Sequence, residues 1–104
     1  MPIYTNGISS IYRTDTGIVT TAGKPGLLYG YTLIGGTTAS SAIFADGTGS
    51  GTTKWKATIK AQTVAGDDSV SYTFSEPIVF STDIYVTLAG TSAAISVAYY
   101  QLNS

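Results

Sequence analysis

The sequence predicts an all-β fold of about eight mostly antiparallel strands, arranged as a β-sandwich or a jelly roll. Three observations lead to this prediction. Segments rich in Val, Ile, Tyr and Phe alternate between apolar and polar residues, which is the two-residue period of half-buried strands. Short breaks rich in Gly, Ser, Thr and Asp separate these segments, and none has the apolar periodicity of a helix. At 104 residues without cysteine, the chain fits one domain that packing or assembly must stabilise.

The first sixteen residues precede the regular pattern. They contain large apolar residues without firm periodicity, namely Ile3, Tyr4, Ile8, Ile11 and Tyr12. Because such residues are costly to expose on a free tail, we expect residues 1–16 to form an N-terminal arm that packs on a neighbour, or a first strand. The sandwich domain then spans residues 17–104 and opens with weaker strand signals at 17–22, 27–34 and 41–45.

The clearest alternation lies in the second half of the chain. In the segment KWKATIKA, Lys54, Lys56 and Lys60 share one face, and Trp55 and Ile59 share the other. Counting in twos through 54–61, 69–75, 83–89 and 95–100 predicts a core of Trp55, Ile59, Tyr72, Phe74, Ile84, Val86, Leu88, Ile95 and Val97, with Asp83 and Tyr85 among the outward residues. The segment PIVF (77–80) is predicted as a separate short strand, which Pro77 starts or confines to a sheet edge.

Residue types that carry catalysis are scarce in this sequence. It contains no His and no Cys, the commonest general bases, nucleophiles and transition-metal ligands. A two-carboxylate hydrolase would have to draw on Asp46, Asp67, Asp68, Glu76 and Asp83, most of which lie at predicted turns, where Asp caps or bends the chain. We therefore expect no enzyme.

The glycine-rich loops offer little more. DGTGSG (46–51) and AGDDS (65–69) could lend oxygen atoms to calcium, but the EF-hand spacing is missing. No helix pattern follows the glycines, so they do not predict a phosphate site. We interpret both segments as flexible or hairpin loops and expect no cofactor.

Charged residues make up only 11% of the chain, against about a quarter in an average domain. The formal net charge is -1, which leaves no electrostatic footprint for nucleic acid or anionic lipid. No apolar run is long enough to span a bilayer, and no signal peptide is evident. The lysine face of 54–60 is interpreted as a solvated face or as protection of a sheet edge.

Tyrosine is the notable surface candidate, with eight copies in the chain. Tyr85 and Tyr100 are predicted to point outward, next to small residues that would form one smooth face: Thr87, Ala89, Ser96 and Ala98. Tyrosine is enriched at protein interfaces, and it also stacks on sugar rings. We predict an interface that uses Tyr85 and Tyr100, joined by Tyr4 and Tyr12 from the N-terminal segment. Lone surface aromatics are the alternative interpretation.

Several stretches give the chain a resemblance to a known family. They are KPGLLYGYTLIGG, AIFADGTGSGT, SVSYTFSEPIVFSTDIYVTLAGT and ISVAYY, which together span about residues 17–100. Their order resembles small virion proteins of tailed bacteriophages, cyanophages among them, that serve as capsid cement or decoration (head auxiliary) proteins. None of these stretches is a catalytic motif.

The resemblance implies a jelly-roll-like sandwich that assembles, commonly as a homotrimer, on the outer capsid surface of the virion. There it would bind the major capsid protein and stabilise the shell. Related sandwiches on phage fibres and spikes bind host glycans, so a glycan-binding fibre or spike module is the alternative function. Neither nucleic acid nor membrane is an expected partner.

Overall fold

The computed structural model of the protein describes residues 8–48 and 51–102. These residues form eight β-strands, connected by turns and loops. The strands are β1 (Ser9–Arg13), β2 (Gly17–Ile18), β3 (Gly26–Ile34), β4 (Ser40–Asp46), β5 (Thr52–Ile59), β6 (Ser69–Phe80), β7 (Ile84–Ala89) and β8 (Ala94–Gln101). Within this part of the chain, no helix is long and apolar enough to cross a membrane.

The strands form two four-stranded antiparallel sheets. Sheet 1 has the order β1-β8-β3-β6, and sheet 2 has the order β2-β7-β4-β5. Every connection except the one between β4 and β5 crosses from one sheet to the other. This arrangement is the eight-stranded jelly roll, so the predicted fold class is confirmed.

The core fills the space between the sheets, as the alternation predicted. Its largest fully buried side chains are Phe44, Phe80, Leu28, Leu33, Ile84, Ile95, Val86 and Val97. Four of these were predicted from the alternation, namely Ile84, Val86, Ile95 and Val97, whereas Phe44, Phe80, Leu28 and Leu33 were not. Of the other predicted core residues, Phe74 is buried, and Trp55, Ile59 and Leu88 are partly buried against the core. Burial of these apolar side chains supplies the main stabilisation of a fold without disulfides.

Tyr72 is the predicted core residue that the structure places elsewhere. It is paired with the buried Tyr31 and so belongs to the inward face, but it is 48% exposed. The cause is the position of β6, which is the outermost strand of sheet 1 and leaves one side of Tyr72 open. Alternation identified the face correctly and the burial wrongly.

The predicted break at Glu76-Pro77 is also wrong, because β6 runs through it as one strand of 12 residues. The ladder with β3 shifts register at this point. Between the Leu28–Ile78 and Gly30–Thr73 pairs, Tyr29 alone faces residues 74–77, so β6 bulges there. Because β6 lies at the edge of its sheet, it pairs with a neighbouring strand on one side only. Proline, which has no N–H to donate, is therefore tolerated inside this strand at Pro77.

Two further predictions were wrong: the length of the strand at 17–22 and the outward direction of Asp83. The strand predicted at 17–22 is only two residues long in β2, although Val19 N continues the contact by donating to Ile84 O at 2.7 Å. Asp83, predicted to point outward, is 3% exposed. The loop before β3 covers it, and Gly23 N donates to its Oδ2 at 3.0 Å.

Candidate interaction surfaces

The outer face of sheet 1 comprises the side chains on this sheet that point away from the core. Register places most of them in three rows across the strands: Tyr12, Ser96, Thr32 and Ser71; Ser10, Ala98, Gly30 and Thr73; Tyr100, Leu27 and Val79. None of these residues is charged. Val79 is more than half exposed, so an apolar end adjoins a hydroxyl-rich middle on the same face.

A depression of about 260 Å³ lies in the middle of this outer face. Its lining includes Ser10, Gly30, Thr73 and Ala98, which form one row, with Tyr29 beside them. A Cβ at Gly30 would lie 2.7 Å from the Tyr72 carbonyl oxygen, too close for any larger residue without movement of the backbone. The absence of a side chain at this position also helps keep the depression open.

Two of the predicted interface tyrosines lie on the outer face of sheet 1. Tyr12, on the edge strand β1, is 62% exposed and stands next to the depression. Tyr100, on β8, is half-buried and pairs with Leu27. Tyr4 lies outside the described residues.

Tyr85 lies on the outer face of sheet 2, where it is half-buried and pairs with Ile18 and Ala45. The predicted single face that joins Tyr85 to Tyr100 is therefore wrong. β7 and β8 are consecutive in the chain but belong to different sheets, so their outward residues point to opposite sides of the molecule. The small residues divide in the same way, with Thr87 and Ala89 on one side and Ser96 and Ala98 on the other.

The lysines lie at the edge of sheet 2. Lys54 and Lys56 are exposed on β5, and Lys60 is exposed just after it, which confirms the predicted outward face. The described strands of sheet 1 contain only two charged residues, Arg13 and Glu76, and neither belongs to the three rows of its outer face. The two broad sides of the sandwich therefore differ in charge.

The Asp46 carboxylate stabilises the turn between β6 and β7. Its carboxylate accepts hydrogen bonds from Ser81 N at 3.0 Å, Ser81 Oγ at 2.9 Å and Thr82 N at 2.7 Å. Partial burial raises the pKa of Asp46, but these hydrogen bonds and the nearby Lys54 charge together lower it by more, so the pKa lies below its ordinary value of 3.8. The carboxylate therefore remains ionised and fixes the 81–83 turn.

The other acidic residues lie apart from Asp46 or serve local contacts. Asp83 is on the same end of the sandwich, and its Oδ1 is buried without a hydrogen-bond partner among the described residues. Asp68 lies at the opposite end, where its Oδ1 accepts from Ser69 N at 2.8 Å. Residues 8–48 and 51–102 contain no group of three or more acidic, His or Cys residues that could hold a metal ion.

An aromatic cluster closes the open side of the sandwich between the edge strands β5 and β6. Trp55 stacks on Tyr72 with ring centroids 5.2 Å apart and meets Phe74 edge-on at 4.9 Å. Trp55 Nε1 donates to Tyr31 Oη at 2.8 Å, so the polar atom of the indole is used inside the protein. These rings contribute to packing across the two sheets rather than standing free for a ligand.

Sequence reasoning did not identify the depression over Gly30. The signal that could have found it is the glycine inside LLYGYTLI, because a glycine within a strand pattern often marks a bulge or a close backbone approach. No family model, curated protein or solved structure matches the chain in comparisons with known proteins. Functional inference therefore depends on the surfaces themselves and on the resemblance described above.

Proposed function

We propose that the protein is a structural virion protein, a capsid cement or decoration protein that binds the outside of a phage head and stabilises the shell. The observation that supports this most strongly is the uncharged outer face of sheet 1, which exposes Tyr12 and Val79. Protein interfaces are depleted in charged residues at their core and enriched in tyrosine. A broad face of this composition suits a protein partner better than a small substrate.

The partner in this proposal is the major capsid protein, and the resemblance supplies that identity. It also supplies the homotrimeric state. Since Tyr85 and Tyr100 lie on opposite sides of the sandwich, a contact between copies that uses both residues must be heterologous, with different surfaces meeting. Heterologous contacts form rings when the rotation closes, and a trimer is one such ring.

Uptake onto undecorated heads tests the proposal. Purified protein is mixed with heads that lack it, unbound protein is removed by sedimentation, and the bound amount is measured relative to the shell protein. We expect saturation at a stoichiometry comparable to that of the shell protein. Absence of uptake at micromolar protein, with the protein folded, contradicts the proposal.

A double variant, Tyr12→Ser with Tyr100→Ser, locates the contact. If sheet 1 faces the shell, this variant binds heads at least ten-fold more weakly, because each tyrosine removes buried contact area. Lys56→Ser is the control, because Lys56 is exposed on sheet 2 and belongs to no contact proposed for this protein. If the control weakens head binding by the same factor, the contact is not specific to the outer face of sheet 1 and this location is wrong.

A glycan-binding module of a fibre or spike is the second candidate. The depression over Gly30 favours it, because Ser10, Thr32 and Ser71 supply hydroxyl groups and Tyr29 supplies a ring in an uncharged setting. The Thr32 and Ser71 hydroxyls already share a hydrogen bond of 2.8 Å. A glycan array separates the two functions, since a cement protein gives no saturable signal there.

A further inference from the structure

The two outermost strands of sheet 1, β1 and β6, each have one side without a neighbouring strand among the described residues. Such an edge exposes backbone N–H and C=O groups that pair readily with another strand. We propose that β1 of one copy of the chain adds to β6 of a second copy, so that sheet 1 continues from one molecule into the next. This contact lies on the narrow edges of the sandwich, apart from the broad faces that carry Tyr85 and Tyr100. It therefore adds to the proposed function and does not depend on it.

The hydrogen-bonding pattern of β6 shows which of its backbone groups face the open edge. Gly35 N donates to Asp68 O at 3.0 Å, so this pair of opposed residues is bonded. In an antiparallel ladder, bonded pairs alternate with pairs that do not bond. Every second residue of β6 from Asp68 onward therefore bonds to β3. The residues between them direct their backbone N–H and C=O groups to the open edge: Ser69, Ser71 and Thr73.

The same alternation extends across sheet 1 to β1. In each inner strand, residues that bond to one neighbouring strand alternate with residues that bond to the other. Inward residues of β3 bond to β6, so its outward residues bond to β8, and the inward residues of β8 bond to β1. The outward residues of β1, Ser10 and Tyr12, therefore direct their backbone groups to its open edge. Both edges thus offer hydrogen-bonding groups at residues of the outer face, as a continuous sheet requires.

β1 and β6 also suit each other in direction and in register. Because neighbouring strands of sheet 1 are antiparallel, β1 runs opposite to β6, and a second copy in the same orientation adds a further antiparallel strand. Pairing Ser10 with Ser71 keeps the outer face continuous. It also sets Ile11 opposite Val70, where both side chains point inward. Ile11 then lies diagonal to Tyr72, and it covers part of an inward ring that is 48% exposed in the single chain.

Protection against strand pairing differs between the edges of the two sheets. At β5, the edge of sheet 2, the exposed Lys54 and Lys56 place charge along the strand, which disfavours pairing. In β6, residues 69–73 include no charged residue and no proline, and the bulge and Pro77 come after them. The backbone of 69–73 is therefore open to a further strand.

Charge favours β1 over a second β6 as the added strand. Two β6 strands related by a two-fold axis would bring the acidic turn at 67–68 of each copy near Glu76 of the other, because antiparallel pairing sets the start of one strand beside the end of its partner. In the register proposed for β1, Arg13 lies opposite Asp68 instead. Arg13 already contacts the exposed Asp15 of its own copy at 3.1 Å, and its guanidinium has further N–H donors for a second carboxylate.

Disulfide trapping tests the contact, because the chain has no cysteine of its own. Two single variants, Ser10→Cys and Ser71→Cys, are mixed at about 100 µM in a glutathione buffer, since a contact this small is weak. One of them carries an isotope label, so that mass spectrometry distinguishes mixed dimers from like dimers. Opposed residues of a bonded antiparallel pair have Cα atoms about 5.5 Å apart, which suits a disulfide. We expect the mixed dimer to exceed either like dimer at least ten-fold.

Thr73→Cys and Thr87→Cys are the matched controls, since both replace exposed threonines within strands. Thr73 lies on the same edge of β6 but out of register with Ser10, and Thr87 lies on the outer face of sheet 2. Mixed with Ser10→Cys, each control should give less than a tenth of the mixed dimer that Ser71→Cys gives. Circular dichroism melts check that all four variants fold.

Three results overturn the pairing. These are a mixed dimer no more abundant than the controls, a Ser71→Cys dimer with itself that exceeds the mixed dimer, and equal cross-linking of every combination. Uptake of the wild-type protein onto heads keeps the two proposals distinct. Uptake without the mixed disulfide refutes the edge contact and leaves the proposed function standing, whereas the mixed disulfide without uptake does the reverse.

Discussion

The hydrogen bond from Trp55 Nε1 to Tyr31 Oη links the two sheets, because Trp55 belongs to β5 in sheet 2 and Tyr31 to β3 in sheet 1. Its length is 2.8 Å, and Tyr31 is only 8% exposed. Trp55→Phe removes the donor while keeping an aromatic ring in the cluster. The Tyr31 hydroxyl then loses its partner in a place that water reaches poorly.

The expected loss follows from that burial. Leaving a buried hydroxyl without its partner costs about 1–3 kcal/mol of the free energy of unfolding. Tyr31→Phe should cost less, since the indole nitrogen of the partly buried Trp55 can turn to water. The double variant Trp55→Phe with Tyr31→Phe removes both partners, so its loss should be smaller than the two single losses added together, by about 1 kcal/mol.

Urea unfolding of the four proteins measures these free energies. Far-UV circular dichroism is the suitable signal, because Trp55 is the one tryptophan of the chain and its fluorescence disappears with the substitution. If the two single losses add within about 0.3 kcal/mol in the double variant, the hydrogen bond does not couple the sheets and the reasoning is wrong.

Three further predictions concern the fold. Val86→Asp should abolish the cooperative thermal transition, because Val86 is fully buried and an unpaired carboxylate there costs several kcal/mol; a native transition would show that the inward face is misassigned. The lowered folded-state pKa of Asp46 means that its ionised form stabilises the protein above its ordinary pKa of 3.8, and that this stabilisation disappears as the pH falls through the folded-state pKa. Asp46→Asn should therefore lower the melting temperature at pH 7 more than at pH 2.5, and an equal loss at both pH values would contradict this role. Gly90→Ala should destabilise the protein by at least about 1 kcal/mol in urea titrations, because Gly90 has a φ of 119° and a Cβ would strike Ser40; unchanged stability would be the contrary result.

Local pattern predicted the strands well where one side of a strand is polar. In β5 the alternation of lysines with Trp55, Ala57 and Ile59 assigned both faces correctly, because the two-residue period is a property of the strand itself. Even for β6, the alternation placed Tyr72 on the inward face. Its exposure depends on which strand lies at the edge, and nothing in the sequence of β6 specifies that.

Long-range pairing is what local pattern could not predict. Tyr85 and Tyr100 lie close in sequence, but β7 pairs with β4 and β8 pairs with β1 and β3. The candidate surface depends on this distribution, since it joins residues from β1, β8, β3 and β6. The depression depends further on the register that brings Ser10, Ala98, Gly30 and Thr73 into one row.

The position of β8 within sheet 1 has a consequence for synthesis of the protein. β8 is the last of the eight strands to leave the ribosome, yet it is inserted between β1 and β3. Until it arrives, β1 has no described neighbour in its sheet and β3 has an open edge, so contacts across most of the chain must form late. A product that stops before residue 94 would present both unpaired strands to other chains and should aggregate. Synthesis of the chain through β8 is therefore a condition for the closing of sheet 1.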